Sequence, residues 1–258
     1  MRLCATAPIP HTRELSRGAM AMALAHLARD DEYAGAFREL SESGTHVVLN
    51  NGAYEAHLAG RELLGFVETL ELAARVGATE VQLPEVDGDG EATLALAREW
   101  LARPGAEGVR WHAVSEGATP GDFLTCFDGL ASHPSVAVIG IAKGIVPRAF
   151  CAELGVRDPA LARLVVLERL TRRTDKPLHL LGLTHPREVF LARRLGPQVR
   201  SVDSTIAVNH AIEGVVYDDA QDLEPPVTRF DPALPLASDV LARASHNLRT
   251  LRRWCADS

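Results

Sequence analysis

Three carboxylates, Glu85, Glu116 and Asp203, each lie at or just after the end of a short apolar, β-branched run. A carboxylate in such a place can attack a sugar carbon or stabilise an oxocarbenium-like centre, while a second acid protonates the leaving group. Chemistry at a glycosidic bond is therefore one prediction. Residues at equivalent positions complete the candidate site, which comprises Asn50, Asn51, Gly52, Glu85, Ser115, Glu116, Gly140, Lys143, Gly144, Gly182, Asp203 and Ser204.

Two interpretations of these residues stay open at this level. The glycines would let a flat ligand such as a nucleobase or a sugar ring approach the backbone. Asn, Asp and Ser at strand-to-helix junctions also serve as helix caps and turn residues without any further function. The set as a whole favours a functional site, because its members recur after successive runs.

The runs that carry these residues alternate with longer segments of helical period, such as the apolar stripe within 61–76. Strand–helix alternation with near-continuous apolar strands indicates a parallel sheet covered by helices. The strands are predicted at 3–7, 45–49, 80–83, 109–114, 135–141, 177–181 and 199–202. The helices are predicted at 12–40 (long enough for two), 61–76, 90–102, 122–131, 160–173 and 186–195.

The repeat number and the length of 258 residues favour an α/β fold of the closed type, a single (β/α)8 TIM barrel, over an open doubly wound sheet. The weakest element is the eighth strand, for which 214–217 is the best candidate. We predict one domain over 1–258 that ends in a helix at about 238–255. The candidate residues would then share one face, because the loops after parallel barrel strands converge.

Composition excludes several classes of protein. Hydrophobic residues make up 47% and charged residues 24% of the chain, which is typical of a globular protein. Residues 1–10 do not resemble a signal peptide, and no apolar stretch approaches the roughly 20 residues that span a bilayer. We therefore expect a cytoplasmic protein with no membrane partner.

Four scattered cysteines without a C-x-x-C pair argue against a disulfide framework and a zinc site, so we predict neither metal nor cofactor.

Charge placement bears on the substrate. The net charge of −7 argues against a general polyanion-binding surface. The arginine pairs at 172–173 and 193–194 end helices that lead into strands, which places them on the face away from the site. Cations expected on the catalytic side are Lys143, Arg148, Arg187 and Arg61. These can hold one nucleotide or a few phosphates, but hardly a long duplex.

Strand histidines are interpreted as satisfied core residues, which applies to His46 and His179. His185 precedes a proline at a helix start and is interpreted as a cap. No H-E-x-x-H pattern accompanies any of them, so the histidines predict no metal site.

Six short motifs resemble the strand-end motifs of tRNA-guanine transglycosylases, and more closely those of the short phage and genomic-island relatives that insert 7-deazaguanines into DNA. The resemblance runs in register from about residue 45 to 205. The motifs are Leu49-Asn50-Asn51-Gly52-Ala53, Leu83-Pro84-Glu85, Ala113-Val114-Ser115-Glu116-Gly117, Ile139-Gly140-Ile141-Ala142-Lys143-Gly144, His179-Leu180-Leu181-Gly182 and Val202-Asp203-Ser204.

The resemblance implies an enzyme that exchanges guanine for a 7-deazaguanine through a covalent glycosyl-enzyme intermediate. Asp203 matches the family's nucleophile, and Glu85 matches the acid that recognises the amino-pyrimidine edge of the base. Asn50 occupies the place of the aspartate that shuttles the base's proton, and Ser115 that of a glutamine that contacts the base. Backbone groups of 140–144 and 182 would reach the base edge.

The departures from the family affect both chemistry and substrate. An amide at Asn50 cannot donate and recover a proton, so Glu55, Glu116 or a water would have to take that role while Asn50 holds the base. The family's C-x-C-x-x-C zinc motif with its histidine is absent, and with it the subdomain that supports tRNA docking. The expected partners are a purine or 7-deazaguanine base and DNA or a nucleotide, with tRNA less favoured. The resemblance also implies a homodimer.

Other functions stay open at this point. The same chemistry on a free nucleoside or nucleotide would give base exchange or simple N-glycoside hydrolysis. Asn50 and the missing zinc unit are also compatible with a catalytically silent base-binding barrel. A third class is an unrelated phosphate-binding lyase or isomerase that uses Lys143 as a base or Schiff-base residue.

Overall fold

Eight parallel strands close into a barrel in a computed structural model of the chain, in which the first strand pairs with both the second and the last. The structure describes residues 1–58, 60–218 and 223–256, apart from the side chains of residues 57 and 58. This arrangement confirms the predicted (β/α)8 barrel. The strands are β1 Arg2–Ala5, β2 Met20–Leu24, β3 His46–Asn50, β4 Glu80–Gln82, β5 Arg110–Val114, β6 Val136–Ala142, β7 Leu178–Leu181 and β8 Val199–Ser204.

Helices follow the strands and cover the barrel, and their ends match local sequence signals. Asp30, Asp89, Thr119 and Asp158 accept hydrogen bonds from backbone N–H groups at helix starts. In the described parts of the chain, no helix is long and apolar enough to cross a membrane. The helices are α1 Thr12–Leu15, α2 Asp31–Glu42, α3 Ala53–Leu58, α4 Phe66–Val76, α5 Gly90–Leu101, α6 Pro120–Ser132, α7 Ile145–Leu154, α8 Pro159–Thr171, α9 Glu188–Ala192, α10 Ile206–Ile212 and α11 Ser238–Ala256, with short 3-10 turns at Ile9–His11 and Arg193–Leu195.

The eighth strand is not where the sequence predicted it. The segment 214–217 is a turn and a loop, in which the Tyr217 N–H donates to Asn247 Oδ1 (2.8 Å) and Asn247 Nδ2 donates to the Val215 carbonyl (2.9 Å). The missing strand is β2, which lies inside the predicted helical segment 12–40. Its alanine, methionine and leucine residues favour helix intrinsically, but β2 is fully buried and pairs with β1 and β3. Tertiary pairing therefore overrides local propensity. Helices α3, α7 and α10 were also not predicted.

A buried charge cluster lies inside the barrel around Glu80, whose side chain is inaccessible to solvent. Arg200 holds both carboxylate oxygens through Nη1 (2.7 Å) and Nη2 (2.8 Å). Arg110 Nε, His46 Nε2 and His112 Nδ1 lie 3.1, 3.1 and 3.2 Å from the same carboxylate. Burial acts to raise the pKa of Glu80, but the hydrogen bonds from Arg200 and His46 and the proximity of His112 outweigh it and hold the pKa well below its usual range.

Replacing Glu80 with glutamine is expected to lower the free energy of unfolding by about 3–5 kcal/mol, because it removes the counter-charge of Arg200, whose side chain is only 15% exposed. Urea unfolding at neutral pH measures this. Glu39→Gln is the matched control, since Glu39 pairs with Arg13 in a bridge whose side chains are 58% and 51% exposed, and it should barely move the midpoint. Equal effects of the two substitutions would contradict the structural role assigned to Glu80.

Candidate active site

Asp203 lies near the end of β8 and is held at one oxygen only. Its Oδ1 accepts hydrogen bonds from His179 Nε2 (3.1 Å) and from the Gly182 N–H (3.0 Å). Its Oδ2 is not buried and accepts no hydrogen bond from any residue that the structure describes, and the side chain is 18% exposed. Burial acts to raise the pKa of Asp203, but the hydrogen bond from His179, and after it the one from the Gly182 N–H, lower it overall. Asp203 therefore presents one free oxygen of an ionised carboxylate.

The loop after β7, which supplies the Gly182 N–H, is fixed by a buried ion pair. Gly182 has a φ of +69°, a conformation that favours glycine. Its carbonyl accepts from Arg163 Nη1 (2.8 Å), and Arg163 in turn pairs with Glu188. Glu188 also accepts the backbone N–H groups of Thr184 (2.6 Å) and His185 (2.8 Å). The donor that holds Asp203 is thus positioned by side chains of α8 and α9.

Across the barrel from β8, the ends of β3 and β4 carry a cluster of Asn50, Asn51, Gln82 and Glu85, here called the amide–carboxyl cluster. Asn50 Oδ1 accepts from the Gly52 N–H (2.8 Å), and Asn50 Nδ2 donates to Gln82 Oε1 (3.1 Å). Gln82 Nε2 donates to the Glu85 carboxylate (3.1 and 3.2 Å), as does Asn51 Nδ2 (2.6 Å). These hydrogen bonds define the orientation of each amide group. The series of amide donors ends at the Glu85 carboxylate, which accepts from both Gln82 and Asn51.

Two carboxyl groups at the mouth of the barrel have raised pKa values, whereas the pKa of Asp203 is lowered. Burial raises the pKa of Glu85 to about 7, although hydrogen bonds from Asn51 and Gln82 oppose the rise. Burial likewise raises the pKa of Glu116 to about 8, against the hydrogen bond from the Gly88 N–H (2.9 Å). Environments that separate the pKa values of neighbouring acids also separate their chemical roles. One carboxylate is therefore ionised at neutral pH, while two can hold a proton.

The side chains of the two candidate serines form hydrogen bonds with backbone groups of helices. Ser115 is fully buried, and its hydroxyl donates to the Phe123 carbonyl on α6 (3.1 Å). Ser204 Oγ accepts the Ile206 N–H at the start of α10 (3.0 Å). Ser204 therefore fits the turn-residue interpretation, since the N-cap of α10 is Thr205, and the hydroxyl of Ser115 is engaged by α6.

The candidate glycines differ in what they make room for. Gly140 lies within β6, where an added Cβ would be 2.9 Å from Nε2 of His112, so this glycine accommodates the histidine ring. Gly182 accommodates the Lys143 side chain, whose Cδ would lie 2.8 Å from an added Cβ. Gly144 is exposed at the start of α7, and Gly52 has a φ of +74°. Only some of the glycines therefore leave open space for a ligand.

Of the cations expected on the catalytic side, Arg148 is engaged by Asp87 through two hydrogen bonds of 2.7 and 3.0 Å. Lys143 is exposed just after β6, and its charge helps to lower the pKa of Asp203. At the opposite end of the barrel, Arg173 pairs with Asp128. The mouth therefore offers fewer cations to a phosphate than the sequence predicted.

Sequence reasoning missed three polar residues of this site. Gln82 shares the interior face of β4 with Glu80 by two-residue alternation, a signal that could have identified it. His179 is a satisfied buried histidine, as interpreted, but one of its partners is Asp203. His26 follows β2 and has a buried Nδ1 without a hydrogen-bond partner among the described residues. It was hidden because β2 was predicted as helix.

Fold and site together define a parallel (β/α)8 barrel with an ionised carboxylate and an amide–carboxyl cluster on opposite sides of its mouth. No protein-family model matches the chain, and no curated protein matches it significantly. Within 1–58, 60–218 and 223–256, no three His, Cys, Asp or Glu side chains are grouped so as to hold a metal ion.

Proposed function

We propose that this barrel breaks the N-glycosidic bond of a guanine nucleotide through Asp203 and replaces the guanine with a 7-deazaguanine. The observation that carries the proposal is that the carboxyl groups on opposite sides of the mouth have pKa values shifted in opposite directions. Asp203 has a lowered pKa and a free Oδ2, whereas Glu85 has a pKa of about 7. An ionised nucleophile facing a protonated acid is the pair that glycosyl transfer requires.

The proposed reaction has two balanced steps. Asp203 Oδ2 bonds to C1′ as the C1′–N9 bond breaks, and the electron pair of that bond leaves with the base, which takes a proton from Glu85. The incoming 7-deazaguanine then returns a proton from its N9 to Glu85, and N9 bonds to C1′ as the ester to Asp203 breaks. Glu85 thus ends each cycle in the form in which it began.

Glu85 takes the proton role in this proposal because the amide of Asn50 cannot carry it. Asn50 is connected to Glu85 through Gln82 in the amide–carboxyl cluster. Glu85 is half-buried at the mouth, whereas Glu116 is 3% exposed and bound to the Gly88 N–H. Asn50 and Gln82 then fix the geometry around the acid and hold the base.

Replacing Asn50 with aspartate is expected to change the rate of base exchange by less than about tenfold, because Glu85 already supplies an acid/base contribution of about 10²–10⁴. Single-turnover exchange of labelled guanine measures this. A rise of two orders of magnitude, or exchange that exists only in Asn50→Asp, would contradict the role of Glu85. Exchange that exists only in Asn50→Asp would support the catalytically silent base-binding barrel instead.

The leading substrate in this proposal is DNA. The engagement of Arg148 by Asp87 favours a second candidate, a free nucleoside or nucleotide, since it leaves fewer cations for a polymer backbone. Release of labelled guanine from DNA, tRNA and mononucleotide, each with added 7-deazaguanine, separates these. Release from DNA supports the leading form, release from mononucleotide alone supports the second, and release from none contradicts both.

A further inference from the structure

His179 connects the barrel interior to Asp203. The residue is fully buried, its Nδ1 lies 2.8 Å from Ser201 Oγ, and its Nε2 lies 3.1 Å from Asp203 Oδ1. Ser201 is also fully buried and accepts a hydrogen bond from Arg200 Nε (3.2 Å). Arg200 is in turn held by both oxygens of Glu80. A continuous hydrogen-bonded path therefore runs from the buried charge cluster to the mouth.

The donors along this path determine which ring nitrogen of His179 carries the proton. Arg200 can only donate, so Ser201 Oγ accepts from it. The hydroxyl proton of Ser201 then points to His179 Nδ1, since no other acceptor lies within hydrogen-bond distance of it among the residues described. Nδ1 of His179 is consequently unprotonated and accepts this hydrogen bond. The ring proton is on Nε2, from which it is donated to Asp203.

The other protonation states of His179 do not satisfy the same contacts. A proton on Nδ1 alone would place the Nε2 lone pair 3.1 Å from an ionised carboxylate. A doubly protonated ring would occupy the remaining lone pair of Ser201 and leave the hydroxyl proton without an acceptor. Only the neutral ring with its proton on Nε2 fits both ends.

We propose that His179 is a positioning residue that holds Oδ1 of Asp203 and so presents Oδ2 to the substrate, and that Arg200 and Ser201 fix its tautomer. The reactive part of this inference rests on the proposed function. The tautomer does not, because it follows from the hydrogen bonds alone. Fixing a nucleophile in this way matters because a misplacement of about 1 Å can cost about 10²-fold in rate.

The kinetic test measures formation of the covalent glycosyl adduct in a single turnover. His179→Phe should slow it by about 10²-fold, and His179→Gln should recover most of the loss, since the glutamine Nε2 can donate from nearly the same place. Ser201→Ala should also slow it. Ser16→Ala should not, because Ser16 is a buried serine whose hydroxyl has no hydrogen-bond partner among the described residues. A wild-type rate in His179→Phe, or equal losses in the Phe and Gln variants, would overturn the positioning role.

The structural test needs no substrate. The ¹⁵N chemical shifts of His179 should show Nε2 protonated and Nδ1 bare in the wild-type protein, and a mixture of tautomers in Ser201→Ala. A protonated Nδ1 in the wild type would overturn the inference even if base exchange proceeds. The expected tautomer in a protein that forms no adduct with any guanine substrate would instead overturn the proposed function alone.

Discussion

Replacing Asp203 with asparagine is expected to lower base exchange by about 10⁴–10⁶-fold, the scale on which enzymes lose rate with their nucleophile. A carboxamide cannot form the glycosyl ester, so the two-step route is closed. The hydrogen bonds from His179 and the Gly182 N–H reach Oδ1, and an asparagine can still accept both. Loss of exchange in Asp203→Asn would therefore report on chemistry rather than on folding.

The control for this variant is Asp128→Asn, which changes an aspartate paired with Arg173 at the opposite end of the barrel. It should retain wild-type exchange. Thermal unfolding of both variants checks that the fold is kept. Exchange by Asp203→Asn within tenfold of wild type would eliminate the nucleophile assignment, whatever the behaviour of the control.

The second large effect is expected for Glu85→Gln, which should slow exchange by about 10²–10⁴-fold. The pKa of Glu85 is raised to about 7 by burial, and its protonated form is the one that donates to the departing base. In the wild type, the rate of base release should consequently fall as pH rises through about 7. Glu85→Gln should lose this limb of the pH–rate profile, because a glutamine does not titrate.

Glu116→Gln and Glu55→Gln are the comparison variants, because the sequence left both residues open as the proton carrier. Each should retain the limb near pH 7. If Glu116→Gln loses the limb and Glu85→Gln keeps it, the proton role belongs to Glu116, whose pKa burial raises to about 8. Circular dichroism of all three variants excludes unfolding as the cause.

The barrel was predictable because most of its strands are β-branched runs that end in polar residues. β2 was not, since Met20–Leu24 consists of residues that favour helix, and only pairing with β1 and β3 makes it a strand. The segment 214–217 was wrongly predicted as a strand for the opposite reason. Its valines favour a strand, but the barrel is already closed by β1 and β8, and Asn247 of α11 holds the segment as a loop.

Of the candidate site, the sequence could predict only the residues that lie at strand ends. The rule that strand ends line the mouth identified Asp203, Glu85 and Asn50. It could not reveal that Ser115 turns toward α6, because either orientation fits the same sequence. It could not reveal the contact of His179 with Asp203 either, since the pairing register of β7 and β8 decides it. The polar barrel interior depends on contacts between distant strands.

Mass spectrometry of the acid-quenched reaction shows directly whether Asp203 becomes covalently bonded to the sugar. After incubation with a guanine-containing substrate, we expect a mass increase equal to the substrate without its base, located on the peptide that contains Asp203. The increase should be absent from Asp203→Asn. Base exchange without any adduct, or an adduct on another residue, would show that Asp203 is not the nucleophile.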